Sequence, residues 1–318
     1  LNKLRGDRVV PGQVLHLASA IREIPAENGP YYHIAPKAPS QQGKGYLEAP
    51  RSRPIVDFRR AQSLLALFDA QIASALARHG GRRPLKGWKI VIDPGHGGLD
   101  PGAIVPNKDG LNRTVQVVED EYVYDIALRV YEQLKLYGAD VRLTVVSPNH
   151  LIRDNLRAVV TFVHEQNEVY NDEEVNRKDT PQTRPRASNL MRRVWIANRF
   201  YGNFRKSKTL FVSIHADNSP GRQKGPMVMY LRRKGKTDRR SKKFAEVMQR
   251  ALDHPELPAQ IKGGSLGVLR KNKAHAEILV EIRNVHDQSE AYRLRFHKRR
   301  ESDAARIVKG IVRYAGKG

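Results

Sequence analysis

The sequence predicts an α/β fold in which a single, mostly parallel, twisted sheet is flanked by helices. The first observation is an alternation of short apolar strands and helices from about residue 86 onward. The second is a strand at residues 88–92, a helix at 123–137 and a strand at 141–145, a succession that forms a parallel pair with a right-handed crossover. The third is a pair of histidines placed where strands end, the edge at which α/β sheets bind ligands.

The rest of the chain continues this alternation. The further predicted elements are a helix at 188–200, strands at 209–214 and 228–231, a helix at 241–252, a strand at 278–282 and a helix at 303–314. Because strands and helices alternate throughout, we assign residues 86–318 to one α/β domain.

Two segments precede this domain. Residues 1–56 are rich in Pro, Gly and Arg and lack sustained periodicity, which predicts an irregular N-terminal extension. Residues 57–85 are predicted to form a linking helix, because apolar residues recur at helical spacing as far as the helix-ending glycines Gly80 and Gly81.

The N-terminal extension contains one recognisable pattern, within residues 1–17. There, Pro11, Gly12 and Gln13 are followed by Leu15 in what reads as a turn and a short alternating strand. The pattern resembles the last strand of a LysM module, a small glycan-binding unit. An ordinary Pro-Gly turn is the alternative interpretation.

Charge and composition restrict the classes of function. Lys and Arg total 57 against 33 Asp and Glu, a formal net charge of +24 that favours a polyanionic partner such as nucleic acid, an anionic membrane surface or a wall polymer. The absence of cysteine excludes disulfides, thiol catalysis and cysteine-bound zinc. No apolar stretch approaches the roughly 20 residues of a membrane span, so no integral membrane segment is expected.

Four residue positions indicate a mononuclear zinc site. His96 and His215 follow strands whose carboxyl ends are expected to share one edge of the sheet. Glu119 or Glu121, at the start of a helix, offers a third ligand. Two histidines and one glutamate leave a position for water, as in catalytic zinc sites. Glu281, at the end of a late strand, is a candidate base for that water.

The motifs around these positions resemble the zinc-dependent N-acetylmuramoyl-L-alanine amidases. Glu119 matches the family's glutamate, with Ala127 eight residues further on, so the resemblance selects Glu119 over Glu121. Over residues 88–314, the other matching segments are residues 93–98, 100–103, 213–217 and 279–281, Arg193 with 196–198, and 307–311.

The resemblance implies hydrolysis of the amide bond between the lactyl group of N-acetylmuramic acid and L-alanine in peptidoglycan. It implies one zinc ion per chain, held by His96, Glu119 and His215, with Glu281 as the general base. Peptidoglycan would be the partner. The protein would work in the cell envelope, periplasmic or extracellular, although no export signal is visible in the chain.

A long polar insert at residues 149–187 interrupts the domain. It carries both charge signs and shows a helical stripe only near residues 155–169, so we expect a mobile loop. In some related amidases an inserted helix blocks the zinc until a partner protein removes it. By analogy, an activator protein would act on this insert and release a carboxylate from the zinc, the candidates being Glu165, Glu168, Asp172, Glu173 and Glu174. A solvated loop that only lengthens the substrate groove is the alternative interpretation.

The sequence departs from the family after Glu281, where Arg283 and Asn284 replace a glycine and an aromatic residue. A more polar wall beside the base is therefore expected. The predicted substrate contacts are Asp217, Asn218, Arg283 and His286.

Three alternative functions fit parts of the sequence. A nucleic-acid binder would suit the net charge, but no recognisable motif or clustered aromatic platform supports it, so no nucleic-acid partner is predicted. A catalytically silent wall-binding protein would have no chemical need for all four site residues. A zinc peptidase acting within the stem peptide remains the third alternative.

Overall fold

The computed structural model describes residues 47–48, 51–79, 81–108, 112, 114–153, 162–163, 165–177 and 187–316. The predicted LysM remnant at residues 1–17 lies outside the described residues, and so does the rest of the extension up to residue 46. The division of the chain at residues 56 and 85 stays a prediction.

Strands and helices alternate along the described chain. The strands are β1 (Leu47–Glu48), β2 (Lys89–Pro94), β3 (Ile104–Lys108), β4 (Thr114–Val118), β5 (Asp140–Leu143), β6 (Val145–Val146), β7 (Phe162–Val163), β8 (Val169–Tyr170), β9 (Thr209–Asp217), β10 (Met227–Arg233), β11 (Lys236–Thr237), β12 (Gln260–Gly264) and β13 (Ala276–Asn284). The helices are α1 (Pro54–His79), α2 (Glu119–Leu136), α3 (Glu173–Asn176), α4 (Ala187–Tyr201), α5 (Arg239–Leu252), α6 (Gln288–Leu294) and α7 (His297–Ala315).

Seven strands form the central sheet, in the order β11-β10-β13-β9-β2-β5, with β12 also paired to β10. The four strands β13, β9, β2 and β5 run parallel to one another. Strand β10 is antiparallel to β13. The predicted α/β fold with a mostly parallel sheet is confirmed.

The sheet is buried on both faces by alternating side chains. Ile90 and Ile92 of β2 join the larger apolar core, to which α2, α5 and α7 contribute. Val91 and Phe211 point to the opposite face and pack with residues of α4. This period of two places apolar layers on both sides, as parallel sheets require. None of the helices in the described part of the chain combines the length and the apolar character that a membrane span requires.

Two helices begin four or more residues earlier than their apolar pattern indicates. Helix α2 begins at Glu119 and α7 at His297, whereas the sequence predicted 123 and 303. The first turn of α2 is acidic, and carboxylates are favourable at a helix N-terminus because they face its positive dipole end. The helix predicted to end before Gly80 and Gly81 is present as α1, which ends at His79, and residues 84–87 of the same segment form turns.

The insert does not form the solvated loop that its composition predicted. Its described part contains β7 and β8 where a helical stripe was predicted near residues 155–169, and residues 154–161 lie outside the described part. Residues 149–153 and 167–172 are buried. Strand β8 pairs with β6, so the insert is joined to the domain directly after the second parallel strand.

Glu277 on β13 provides a test of this packing. The carboxyl is 5% exposed, and its burial, with Asp238 nearby, raises the pKa of Glu277 to about 8. The folded protein therefore holds a proton that the unfolded chain releases near pH 4.5, and stability falls as pH rises between these values. Each tenfold change in proton affinity is worth about 1.4 kcal/mol.

We therefore expect Glu277→Gln to unfold at a higher temperature than wild type at pH 8, and to differ little at pH 4. Thermal unfolding of both proteins at the two pH values measures this. Glu246→Gln, on the exposed side of α5, is the control and should show no such pH-dependent gain. An equal change in unfolding temperature at both pH values would mean that Glu277 is ionised in the folded protein.

Candidate metal centre

Three neighbouring parallel strands bring the predicted site residues to one edge of the sheet. His96 follows β2 by two residues, His215 lies on β9, and Glu281 on β13 is the register partner of His215. Glu119 opens helix α2 beside them.

The side chains of His96, Glu119 and His215 form a compact cluster, with one ligand atom from each within 4.8 Å of the others. Glu119 Oε1 lies 3.2 Å from His96 Nε2 and 3.2 Å from His215 Nδ1. The two imidazole centroids are 5.0 Å apart, edge to face. Zinc bonds of about 2.0–2.2 Å to nitrogen and oxygen require only small shifts of these groups.

Glycines permit this close approach. His96 itself has φ of 60°, and a Cβ on the preceding Gly95 would lie 2.4 Å from Cε1 of His215. A Cβ on Gly102 would lie 2.5 Å from Glu119 Oε2. Larger residues at these two positions would displace the cluster, which explains the glycine-rich loop after β2.

Two of the three side chains are held by partners outside the cluster. Glu119 Oε1 accepts a hydrogen bond from Ala216 N (2.9 Å) and Oε2 accepts one from Ala103 N (3.0 Å). His96 Nδ1 lies 3.1 Å from Asp100 Oδ2, which orients the ring with Nε2 toward Glu119. Such partners fix the tautomer and direction of metal ligands.

The charges of the cluster suit a cation. Burial alone would raise the pKa of Glu119, but His96 and His215 hold it well below its usual range. Burial alone would lower the pKa of His96, but Glu119 and Asp100 raise it to about 10. A bound cation would replace the imidazolium as the positive partner of Glu119.

Arg193 on α4 holds the turn that presents His96. Its guanidinium donates to Asp93 Oδ1 (2.9 Å), to the carbonyl of Pro94 (2.5 Å) and to the carbonyl of His96. Asp93 also accepts a hydrogen bond from Ser213 on the neighbouring strand, at 2.6 Å. One planar group thus fixes both the strand end and the turn.

We expect Arg193→Lys to keep the charge facing Asp93 but to lose the fork that holds both carbonyls. Metal affinity should fall about 10–100-fold, as for other partners of metal ligands. Competition with a chelator measures this. Arg199→Lys, exposed on the same helix, should leave the affinity unchanged, and an unchanged affinity in Arg193→Lys would contradict the role.

Glu281, the predicted base, is the strand neighbour of His215. Its Oε2 is buried and accepts no hydrogen bond from the described residues. Burial, opposed in part by His215, raises the pKa of Glu281 to about 7. A carboxyl with a pKa near neutrality can both accept and return a proton.

The predicted substrate contacts have different surroundings. Asn218 and His286 are exposed, and Asp217 forms an ion pair with Arg222 at 2.6 Å. The prediction for Arg283 is corrected, because this side chain is 4% exposed. It is paired with Asp303 of α7 at 2.6 Å and does not form the expected polar wall beside Glu281.

The insert carboxylates predicted to block the metal have other partners. Glu165 contacts His150, and Glu168 accepts a hydrogen bond from Gly98 N at 3.0 Å. The other three are Asp172, which caps α3, and Glu173 and Glu174, which pair with Arg177 and Arg199. Among the described residues, none of the five joins the His96 cluster, so the structure does not support this form of inhibition.

Glu121, the alternative third ligand, belongs to a separate buried cluster with His150 and Glu165. Sequence reasoning missed this cluster. Its only signal was the presence of a histidine and several carboxylates in the insert, and their sequence spacing matches no local ligand pattern.

A His–His–Glu cluster beside a buried carboxyl, at the edge of an α/β sheet, is the arrangement of metal-dependent hydrolases. The family profile described as N-acetylmuramoyl-L-alanine amidase (Amidase_3) matches residues 90–313. The chain belongs to this family.

Individual relatives are more distant. The germination-specific N-acetylmuramoyl-L-alanine amidase of Bacillus subtilis (strain 168) is 25% identical over 252 residues, which cover 79% of this chain and 90% of that protein. An uncharacterized cell wall amidase of Bacillus anthracis is 28% identical over 239 residues, covering 72% of this chain but 36% of that protein.

The structure of the CwlD amidase from Clostridioides difficile, in complex with the GerS lipoprotein, has a similar fold. Its TM-score is 0.51 at 23% identity, and the match covers 73% of this chain and 100% of that one.

Proposed function

We propose that this chain is a zinc-dependent N-acetylmuramoyl-L-alanine amidase of the cell envelope, hydrolysing the amide bond between the lactyl group of N-acetylmuramic acid and L-alanine in peptidoglycan. The observation that carries the proposal is the pairing of Glu281 with His215 in the strand register. This register sets a protonatable carboxyl beside a metal ligand, as hydrolysis by a bound water requires.

His96, Glu119 and His215 would hold the zinc. Their donor set of two imidazoles and one carboxylate, anchored by Asp100 and by backbone amides, fits this ion. When bound, zinc would polarise the lactyl carbonyl and make a water molecule more acidic.

Glu281 would carry the proton. It takes a proton from the attacking water and delivers it to the departing nitrogen of L-alanine, so that an amine leaves and not an amide anion. Its raised pKa, near 7, suits both halves of this transfer. The exposed Asn218 and His286 remain candidates for contact with the glycan or the stem peptide.

Identification of the new amino terminus tests the proposal. Purified peptidoglycan incubated with the zinc-loaded chain should release peptides that begin with the L-alanine amino group. A new terminus within the stem would indicate a peptidase instead. Binding to the wall without any new terminus would indicate a catalytically silent binding protein.

An activating partner protein stays a prediction. The carboxylates expected to inhibit the site have other contacts, so a partner would have to act on the insert in another way. If the purified chain hydrolyses peptidoglycan, and extracts of the cells that produce it do not increase the rate, no activating partner is needed. That result would remove this part of the proposal.

A further inference from the structure

We propose that the chain holds a second divalent cation, a first-row transition metal such as zinc or manganese, in the buried cluster of Glu121, His150 and Glu165. One ligand atom from each lies within 4.8 Å of the others, and all three residues are buried. His150 Nε2 is 3.0 Å from Glu165 Oε2 and 3.9 Å from Glu121 Oε2. Two atoms that bind one metal ion at about 2.1 Å are separated by a distance between these two values.

His150 is oriented as a ligand. Its Nδ1 lies 3.0 Å from the carbonyl oxygen of Leu151, which can only accept, so Nδ1 carries a hydrogen. Nε2 is directed toward the two carboxylates, and its hydrogen would leave when a cation binds. The His150 ring lies beside those of Tyr124 and Phe162, with ring centroids 5.4 Å and 6.2 Å from its own. A carbonyl behind the imidazole is the usual second partner of a metal-bound histidine.

The carboxylates are oriented in the same way. Glu165 Oε1 accepts hydrogen bonds from Asn149 Nδ2 (2.7 Å) and from the hydroxyl of Ser147, which leaves Oε2 to face His150. Glu121 Oε2 forms an ion pair with Arg153 at 2.5 Å. A carboxylate oxygen has two lone pairs and can serve a cation as well.

Carboxyl groups crowd the cluster. Asp120 and Glu168 are also buried here, and burial with repulsion from Glu165 and Glu121 raises the pKa of Glu168. Asp120 is 1% exposed, and its Oδ2 accepts no hydrogen bond from the described residues. Ionising these buried carboxyl groups together is costly, and a divalent cation among them would offset that cost.

The ligand set of one imidazole nitrogen and two carboxylate oxygens indicates the class of ion. Imidazole favours first-row transition metals over calcium or magnesium, and carboxylates are shared by both groups. Because the ligands are buried, the cation would have a structural role. It would fasten the insert, through His150 and Glu165, to Glu121, two residues beyond the proposed zinc ligand Glu119.

Metal content separates the two sites. The full chain is dialysed against zinc or, separately, manganese, freed of unbound ion and analysed by mass spectrometry. We expect two ions per chain in wild type. His150→Gln and His215→Ala should each retain one, and the double variant none. His286→Gln, changed at an exposed histidine, should keep two.

The outcomes are distinguishable. One ion per chain with either metal, lost in His215→Ala, would overturn the second site and leave the proposed function intact. His150 would then be an imidazolium between carboxylates. Unchanged content in folded His150→Gln would also overturn it. If His150→Gln does not fold, Glu165→Gln and the wild-type count decide.

Discussion

Replacement of His96 or His215 by alanine is expected to remove one zinc ion per chain and to abolish wall hydrolysis. Each histidine lies within 3.2 Å of Glu119, and loss of either leaves two protein ligands for a tetrahedral ion. Zinc content of the dialysed variants and release of L-alanine amino termini from peptidoglycan measure the two effects together.

A matched control is an exposed histidine outside the cluster. His286→Ala changes a residue two positions beyond β13 and should retain the zinc ion. Folded His96→Ala and His215→Ala proteins with wild-type zinc content would place the metal elsewhere.

Glu281→Gln is expected to retain zinc and to lose about 10²–10⁴-fold in kcat, the usual contribution of a general base. Glutamine keeps the size of the side chain but can neither take nor return a proton. The metal ligands stay in place, because Glu281 is outside the cluster of His96, Glu119 and His215. Zinc analysis and initial rates on the same preparation separate binding from chemistry.

Glu277→Gln is the control for this variant, since it makes the same change four residues earlier on β13, away from the metal ligands. It should keep full activity at neutral pH. If zinc leaves with the Glu281 carboxylate, Glu281 is a ligand and the role of Glu119 must be reassigned.

Local pattern alone located most of the site. His96 and His215 follow buried strands, and parallel strands end at one edge of a sheet, so their proximity follows from the order of elements. Gly95 beside His96 leaves no room for a Cβ next to His215. The same reasoning placed Glu281 at the end of a late strand, and the structure pairs that strand with the one that carries His215.

Helix geometry separated Glu119 from Glu121. Residues two apart on a helix point about 200° away from each other. Glu119 and Glu121, both in the first turn of α2, therefore face two different sites. Composition showed only two equivalent carboxylates, and the family resemblance was needed to select Glu119. The tertiary structure assigns Glu121 to His150 and Glu165, which come from the insert.

The sequence by itself determined the α/β fold and the strand-end residues His96, His215 and Glu281, because these depend on periodicity and element order. Only the tertiary structure showed which charged side chains are buried and which partners they have. The polar insert reads as a solvated loop, but its Glu165 is buried beside His150. Arg283 reads as a substrate contact, but Asp303, twenty residues away, holds it inside the domain. The sequence shows which side chains carry a charge, but whether a charged side chain is buried depends on partners that are distant in the chain.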